Sequence, residues 1–466
     1  MALNNIDLKS CTMPASFLRA VLAAALFLAV SAGTFLAAQP KFNSPYSRYG
    51  VGDLASPYFA AQAGMGGQTA AFHDPFHLNL ANPASYAFLR TTALETGLFT
   101  KYSQYQTSQA KQGEWSGNMT HLALGFTLKS PINEVLDKVK SPWNYAMGVS
   151  LTPYSRIGYN IQTRDTLPNL DDVLNNFQGS GGLYRITWTS AAKYKNTAFG
   201  VNLGWMFGKT VYENTTVFLD TGALKLPAFQ FNSRQDIAAN GFVWSLGAQH
   251  DFVLKYADEE RTAPERWFTL GLTGEGNHRI NLTEDKFQIR SRGRTATGGY
   301  SNADTLTALT AQKRNLTLPA TFALGGQYVK ANKLKIGAQV GLESWSGYVN
   351  EARPATLRNT FSVAAGFEVI PDYISYNKYM KRVRYRAGAY FRQDPRSVDG
   401  NDLNDIGLTL GMGFPLILPR QQTSFINLSL EVGKLGANTP IEDTYFRMTA
   451  GFTLNDNTWF FKRRFE

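Results

Sequence analysis

Cysteine is all but missing: the 466 residues contain one, Cys11. It lies in an N-terminal stretch that reads as an export signal, so the rest of the chain has no disulfides and no thiolate chemistry. Cys11 precedes the apolar core of that signal and is misplaced for lipid acylation. No run of about 20 apolar residues follows residue 40, which excludes a membrane-spanning helix there. A membrane barrel is not excluded, because its strands alternate and look only mildly hydrophobic; the mean hydropathy is −0.24. No phosphate loop and no Gly-x-Ser-x-Gly elbow occurs after the signal, and the carboxylates form no recognisable catalytic pair. The reading is therefore not an enzyme, with no catalytic residues and no cofactor. No internal repeat or low-complexity tract stands out.

Histidine is also scarce. His73 and His77 are spaced i, i+4 as in zinc-binding helices, but Pro75 lies between them and no third ligand is evident, so no metal site is expected. The formal net charge is +11. A basic balance can mean nucleic acid, but here the charges are scattered singly along the chain. They read as lumen and loop charges facing an acidic envelope of outer-membrane lipid and lipopolysaccharide, with no nucleic-acid partner.

What is abundant is aromatic and small residues: 13% aromatics beside 41 glycines. Residues 1–38 form the signal, with Arg19 as the positive flank, Val21 to Val30 as the apolar core and Ala37-Ala38 as the small-residue cleavage site. Next comes a stretch with paired glycines, many turns and no period of 2 or 3.6, centred on 43–86. After it, strands alternate with period 2. Leu428, Leu430 and Val432 oppose Asn427, Ser429 and Glu431; Phe446, Met448 and Ala450 oppose Arg447, Thr449 and Gly451. One face is apolar and bulky. The other mixes Gly, Ser, Thr and full charges, among them Arg185, Lys193, Glu368, Arg386 and Arg392. Fourteen such segments are expected: 92–107, 116–129, 143–161, 182–195, 197–212, 240–255, 266–280, 317–329, 333–349, 357–370, 383–394, 403–414, 423–435 and 441–454. At about 10 residues or more each can cross a bilayer when tilted, and an even number suits a single-chain bacterial barrel. The predicted fold is all-β: an antiparallel 14-stranded transmembrane barrel over 92–454, with an N-terminal plug or hatch at 39–91 and a periplasmic tail at 455–466.

The connections alternate between short turns and long loops, including 162–181, 213–239 and 281–316 on the outer side. Residues 131–142 carry Ile132, Val135, Leu136 and Val139 at helical spacing, a short interfacial helix or an ordinary turn. In 371–382, Tyr373, Tyr376 and Tyr379 recur beside Lys378, Lys381 and Arg382, as an interfacial anchor or an ordered turn. The basic residues of 281–316, Arg290, Arg292, Arg294, Lys313 and Arg314, either attract anionic groups or are simply solvated.

The sequence resembles the FadL family of outer-membrane barrels, in its Bacteroidota-type branch. The resemblance rests on four places: Ser44 to Leu54; Gly64-Met65-Gly66-Gly67 with Asn82-Pro83-Ala84-Ser85; Leu318-Pro319-Ala320-Thr321 entering a strand; and the last strand through Gly451 to Asp456. It implies a barrel in the outer membrane of a Gram-negative cell that takes up long-chain fatty acids or other hydrophobic small molecules. It also implies a hatch carrying Gly64, Gly66, Gly67, Asn82, Pro83 and Ala84, and passage sideways through a kinked strand. The external loop 213–239 lies where the family collects its ligand, and Phe218, Leu219, Leu224, Leu226, Phe229 and Phe231 make it apolar. The same residues would also suit an extension of strands five and six, or packing on the barrel rim. A second function implied by relatives in type IX secretion is a non-transporting scaffold or anchor for secretion-system proteins. Any such barrel is also a client of the barrel-assembly machinery.

Overall fold

A computed structural model describes residues 43–108, 110–129, 141–165, 173–218, 230–257, 259, 263–292, 304–398, 400–418, 422–437 and 439–456. Fourteen antiparallel wall strands close on themselves. They are β1 Thr92–Gln106, β2 Lys111–Thr127, β3 Trp143–Asp165, β4 Val173–Tyr194, β5 Thr197–Phe218 and β6 Gln230–Tyr256. β7 is Pro264–Glu275 continued by His278–Ser291, and β8 is Asp304–Leu318 continued by Thr321–Lys330. β9 Leu334–Glu343, β10 Thr360–Val369, β11 Arg384–Val398, β12 Asn401–Leu418, β13 Gln422–Leu435 and β14 Glu442–Asp456 complete the wall. β14 pairs with β1 from Glu442↔Gln106 to Asp456↔Thr92, which closes the ring.

The alternation is inverted relative to a soluble protein. Leu408 is 68% exposed and its neighbour Thr409 3%; Phe199 is 63% exposed and Ala198 0%. In a closed ring the exposed face can only be the outside. An apolar exterior around a polar interior is the arrangement that lipid requires. The exterior includes Trp115, Trp143, Trp188, Trp205 and Trp244, the amphipathic rings that favour membrane interfaces. The molecule is an outer-membrane-type β-barrel.

Several strands run beyond the segments expected from alternation. β5 and β6 stay paired out to Val217↔Gln230, so most of 213–239 is strand rather than loop. Likewise Asn281–Arg290 pairs with Asp304–Asn315 inside the expected loop 281–316, and 162–165 pairs with 173–176. Outside the bilayer no apolar face is needed, so alternation fades while the backbone ladder continues. Residues 131–140 lie outside the described residues. The 371–382 connection is a turn closed by Asp372 and a 3-10 segment, Tyr379–Arg382, with Tyr376 and Met380 exposed.

Residues 43–91 pack among the inward faces of the wall. Asn43 lies at the loop end, where its carbonyl accepts from Tyr105 Oη at 3.1 Å. The chain then descends to Asp74, beside Lys335 and Arg384. It ends in a 3-10 segment, Pro83–Phe88, whose cap Asn82 accepts from Ala84 N. Glycines in the wall give the segment its seat. A Cβ on Gly388 would lie 2.4 Å from Gly66 N, and one on Gly271 would lie 2.0 Å from Ala70 O. Gly66 and Gly67 in turn have φ of +76° and +82°, which other residues rarely adopt. Above this, an apolar cluster fills the loop end, where Val51 packs with Ile157, Met206, Leu316, Trp345 and Leu357.

Gly388→Leu should close the barrel but unseat residues 60–89, because the side chain meets backbone rather than a movable side chain. The cost expected for overpacking is about 1–3 kcal/mol. Limited proteolysis of the folded, heat-modifiable barrel in detergent checks this: new cleavage within 60–89 is expected, with the wall intact.

Candidate functional site

Three features meet inside the barrel. The first is the polar fastening of the 43–91 segment. Asp74 is buried and bonded at 2.7 Å to both Lys335 Nζ and Arg384 Nη1. Burial opposes its charge, but Arg384 and Lys335 outweigh burial and hold the carboxyl well below the usual carboxylate range. Asp74 also accepts from Phe76 N and faces His77 Nδ1 at 3.1 Å. His77 Nε2 lies 3.0 Å from Asn427 Nδ2 of β13. Burial pushes the His77 imidazole down to about 4, against the pull of Asp74. His73 bonds Asp251 at 3.1 Å and stacks on Phe88. Each imidazole thus joins this segment to the wall, and no group of three metal-ligating side chains occurs among the described residues.

Backbone of the segment is held as well. Gln339 Oε1 accepts from Thr69 N and Ala70 N, both at 2.7 Å, and Gln249 Nε2 donates to Ala70 O at 2.9 Å. Asn202 Nδ2 donates to Leu80 O, and Glu95 Oε2 accepts from Leu78 N. These anchors come from β1, β5, β6 and β9, and Arg384 of β11, Thr409 of β12 and Asn427 of β13 hold the other side of the ring.

The second feature is a cavity of about 410 Å³ above the segment. Its lining mixes apolar groups, such as Leu54, Tyr58 and Phe59, with charged Arg392, Glu431 and Arg447. Tyr390 Oη donates to Glu431 at 2.5 Å, and Tyr445 Oη donates to Asp405 at 2.8 Å.

The third feature is a break in the wall. β2 and β3 pair only from Leu122↔Leu151 to Thr127↔Ala146. Toward the loop end, β2 stays with β1 and β3 stays with β4, but they do not pair with each other. β3 turns at Pro153, where its register with β4 shifts, and Ser155 to Tyr159 are all buried. Proline cannot donate to a ladder and marks edges and bulges. The free edge of β3 is taken by the N-terminal segment. Asp53–Leu54 pairs with Arg156 and Ser155, Ser44 N donates to Gly158 O at 2.7 Å, and Ala55 N donates to Tyr154 O at 2.9 Å. Thr120, Thr152, Pro153 and Tyr154 beside the break also line the cavity.

The family model of BamG matches residues 19–466. The chain belongs to the BamG family. Among solved structures, this BamG-family fold matches the Pseudomonas putida toluene transporter TodX at TM-score 0.54 and 13% identity, over 88% of this chain and 100% of that one. It matches a Pseudomonas aeruginosa FadL homologue at TM-score 0.52 and 15% identity, over 86% and 99%. It matches the Ralstonia pickettii toluene transporter TbuX at TM-score 0.52 and 13% identity, again over 86% and 99%. No curated protein sequence matches the chain. The resemblance to FadL-family barrels is thus a likeness of fold.

The expected site residues fall into two sets in this BamG-family barrel. Gly64, Gly66, Gly67, Asn82, Pro83 and Ala84 lie together inside the wall; only Gly67 is not fully buried. Of the apolar loop set, Leu219, Leu224, Leu226 and Phe229 lie outside the described residues. Phe218 ends β5, and Phe231 is a half-buried residue of β6 paired with Thr216, not a loop residue. Sequence reading missed the Asp74 fastening, and it gave a kinked strand only as what the resemblance implies, without placing it in the chain. Pro153, inside an otherwise alternating strand, was the available signal for the break.

Two pH effects follow. The folded pKa of His77 is depressed, so the unfolded chain binds more protons between about 6.5 and about 4, and stability falls as pH drops through that window. The Asp74 contribution is full above the ordinary carboxylate range and is lost only as pH falls further, through its depressed value. Thermal unfolding in detergent across pH 7 to 4 should show the loss, and His77→Gln should flatten it.

Proposed function

We propose that the barrel passes a hydrophobic or amphipathic small molecule from the cavity through the side of its wall into the membrane. The observation that carries this reading is the unpaired stretch between β2 and β3 beside the cavity. A hydrophobic compound released into water loses about 25 cal/mol for each Å² of apolar surface it exposes; one that leaves sideways never meets water. Residues 43–91 act as a hatch that stays in place, since they are fastened to strands all around the ring and seated on wall glycines. TodX and TbuX are named as toluene transporters, which supports the compound class. Long-chain fatty acids are the substrates we assign within that class, collected at the outer end by the apolar 218–231 segment. The membrane is the outer membrane, and lipopolysaccharide is the outer-leaflet neighbour.

A second reading has its own support. The family name BamG points to the barrel-assembly machinery, and a lumen carrying many ion pairs suits a rigid scaffold for assembly or secretion proteins as well as a conduit.

A disulfide across the break separates the two. Thr120→Cys with Pro153→Cys continues the register of Leu122↔Leu151, and the exported chain carries no other cysteine. Oxidation should abolish uptake of a labelled long-chain fatty acid in cells, and reductant should restore it. Unchanged uptake in the oxidised barrel contradicts the side exit. Co-purification of assembly proteins with that barrel would then favour the scaffold.

A further inference from the structure

Cations buried in this lumen usually have acidic partners. Arg384 and Lys335 share Asp74, Arg386 lies 2.7 Å from Glu368, and Arg396 is bonded to Asp53 and Asp394. Arg156 does not follow this pattern. It is 8% exposed, and its Nε has no hydrogen-bond partner. Asp53 faces it in the sheet, but that carboxylate is bonded to Arg396. Among the described residues the polar contact of the Arg156 side chain is Nη2 donating to Met119 O at 3.2 Å. Met119 belongs to β2 and Arg156 to β3, both beyond the last paired residues, Leu122 and Leu151. This single bond therefore crosses the break in the wall.

The guanidinium also lies over the Phe99 ring, 4.9 Å from its centroid. Arg447 of β14 approaches the same ring at 4.6 Å. Its Nε is likewise buried and unpartnered. Its Nη1 donates to Ser56 Oγ at 3.1 Å, and Glu431 stands 3.9 Å away. Arg447 lines the cavity, and Arg156 of β3 approaches the same Phe99 ring. A guanidinium offers five donors, and leaving them unused in a buried site is costly. A neutral carbonyl is a weaker acceptor for it than an anionic oxygen.

We propose that Arg156 is the latch of the β2–β3 break, and that an anionic head group, carboxylate or phosphate, takes Arg156 and Arg447 together and releases β2. This rests on the side-exit reading and narrows its ligand class to amphipathic anions. An apolar tail suits the Phe59 and Phe99 side of the site, while the head group replaces the Met119 carbonyl at Arg156. A neutral hydrophobe has nothing to offer the two guanidiniums and leaves the latch closed.

Spin labels on Ser116→Cys in β2 and Asn160→Cys in β3 read the break directly in the purified full-length barrel. Pulsed dipolar distances are compared without addition and with laurate, dodecyl phosphate, dodecanol or inorganic phosphate. A shift to longer distance is expected with laurate or dodecyl phosphate; whichever acts at lower concentration identifies a free fatty acid or a lipid phosphate as the source. Arg156→Gln should give the long distance without any addition. Arg447→Gln should stay closed without addition and need about tenfold more laurate, the loss of one charge-assisted bond. A heat-modifiability gel confirms that each variant is folded. The latch is overturned if dodecanol acts as laurate does, or if folded Arg156→Gln keeps the short distance. The label distance reads the latch whether or not the barrel transports, so failure here is distinguishable from an uptake result in the disulfide-locked barrel.

Discussion

Above Leu151 the edge of β3 has no neighbouring wall strand, and in a membrane that edge must still be satisfied. Much else in the structure follows from this one constraint. The edge turns inward at Pro153, and the 44–55 segment supplies the hydrogen bonds that β2 does not. The N-terminal segment is therefore part of the wall as well as of the lumen. A barrel that leaves a strand edge open without such a partner would present a template for aggregation. Here the edge lies beside the cavity, and its backbone stays paired through the N-terminal segment.

The lumen is stabilised by buried ion pairs, which contribute little net free energy when formed but a large penalty when half removed. Asp74, Lys335, Arg384, Glu368 and Arg386 form one such group at the turn end. Removing Asp74 alone would leave Lys335, Arg384 and Arg386 to share the one carboxylate of Glu368. Charge and backbone contacts to wall glycines fix where the segment sits, while burial of Phe59, Leu78, Leu80, Tyr86 and Leu89 in an apolar cluster with wall alanines supplies its hydrophobic stabilisation. The apolar cluster around Trp345 and Met206 does the complementary work at the loop end.

The wall was legible in the sequence because lipid imposes a strict period of two. Leu428, Leu430 and Val432 against Ser429 and Glu431 can be read without any structure, and so can the count of fourteen strands that the closed sheet contains. Where lipid ends, the signal ends. Residues 230–239 and 304–316 continue as paired strands with no apolar face to mark them. Long-range pairs such as Asp74 with Arg384, or Arg156 with Met119, leave no local trace, because nothing in the spacing of either residue depends on the other. Pro153 is the exception, a local residue whose chemistry announces an edge.

The central claim is that residues 60–89 stay seated while a ligand passes beside them. Hydrogen–deuterium exchange of the full-length barrel, with and without saturating laurate, tests it most directly. The account predicts that amides of 60–89 remain as protected as those of β12 and β13 when laurate is present, while β2 above Leu122 exchanges faster. Fast exchange across 60–89 on adding laurate, with β2 unchanged, would contradict it.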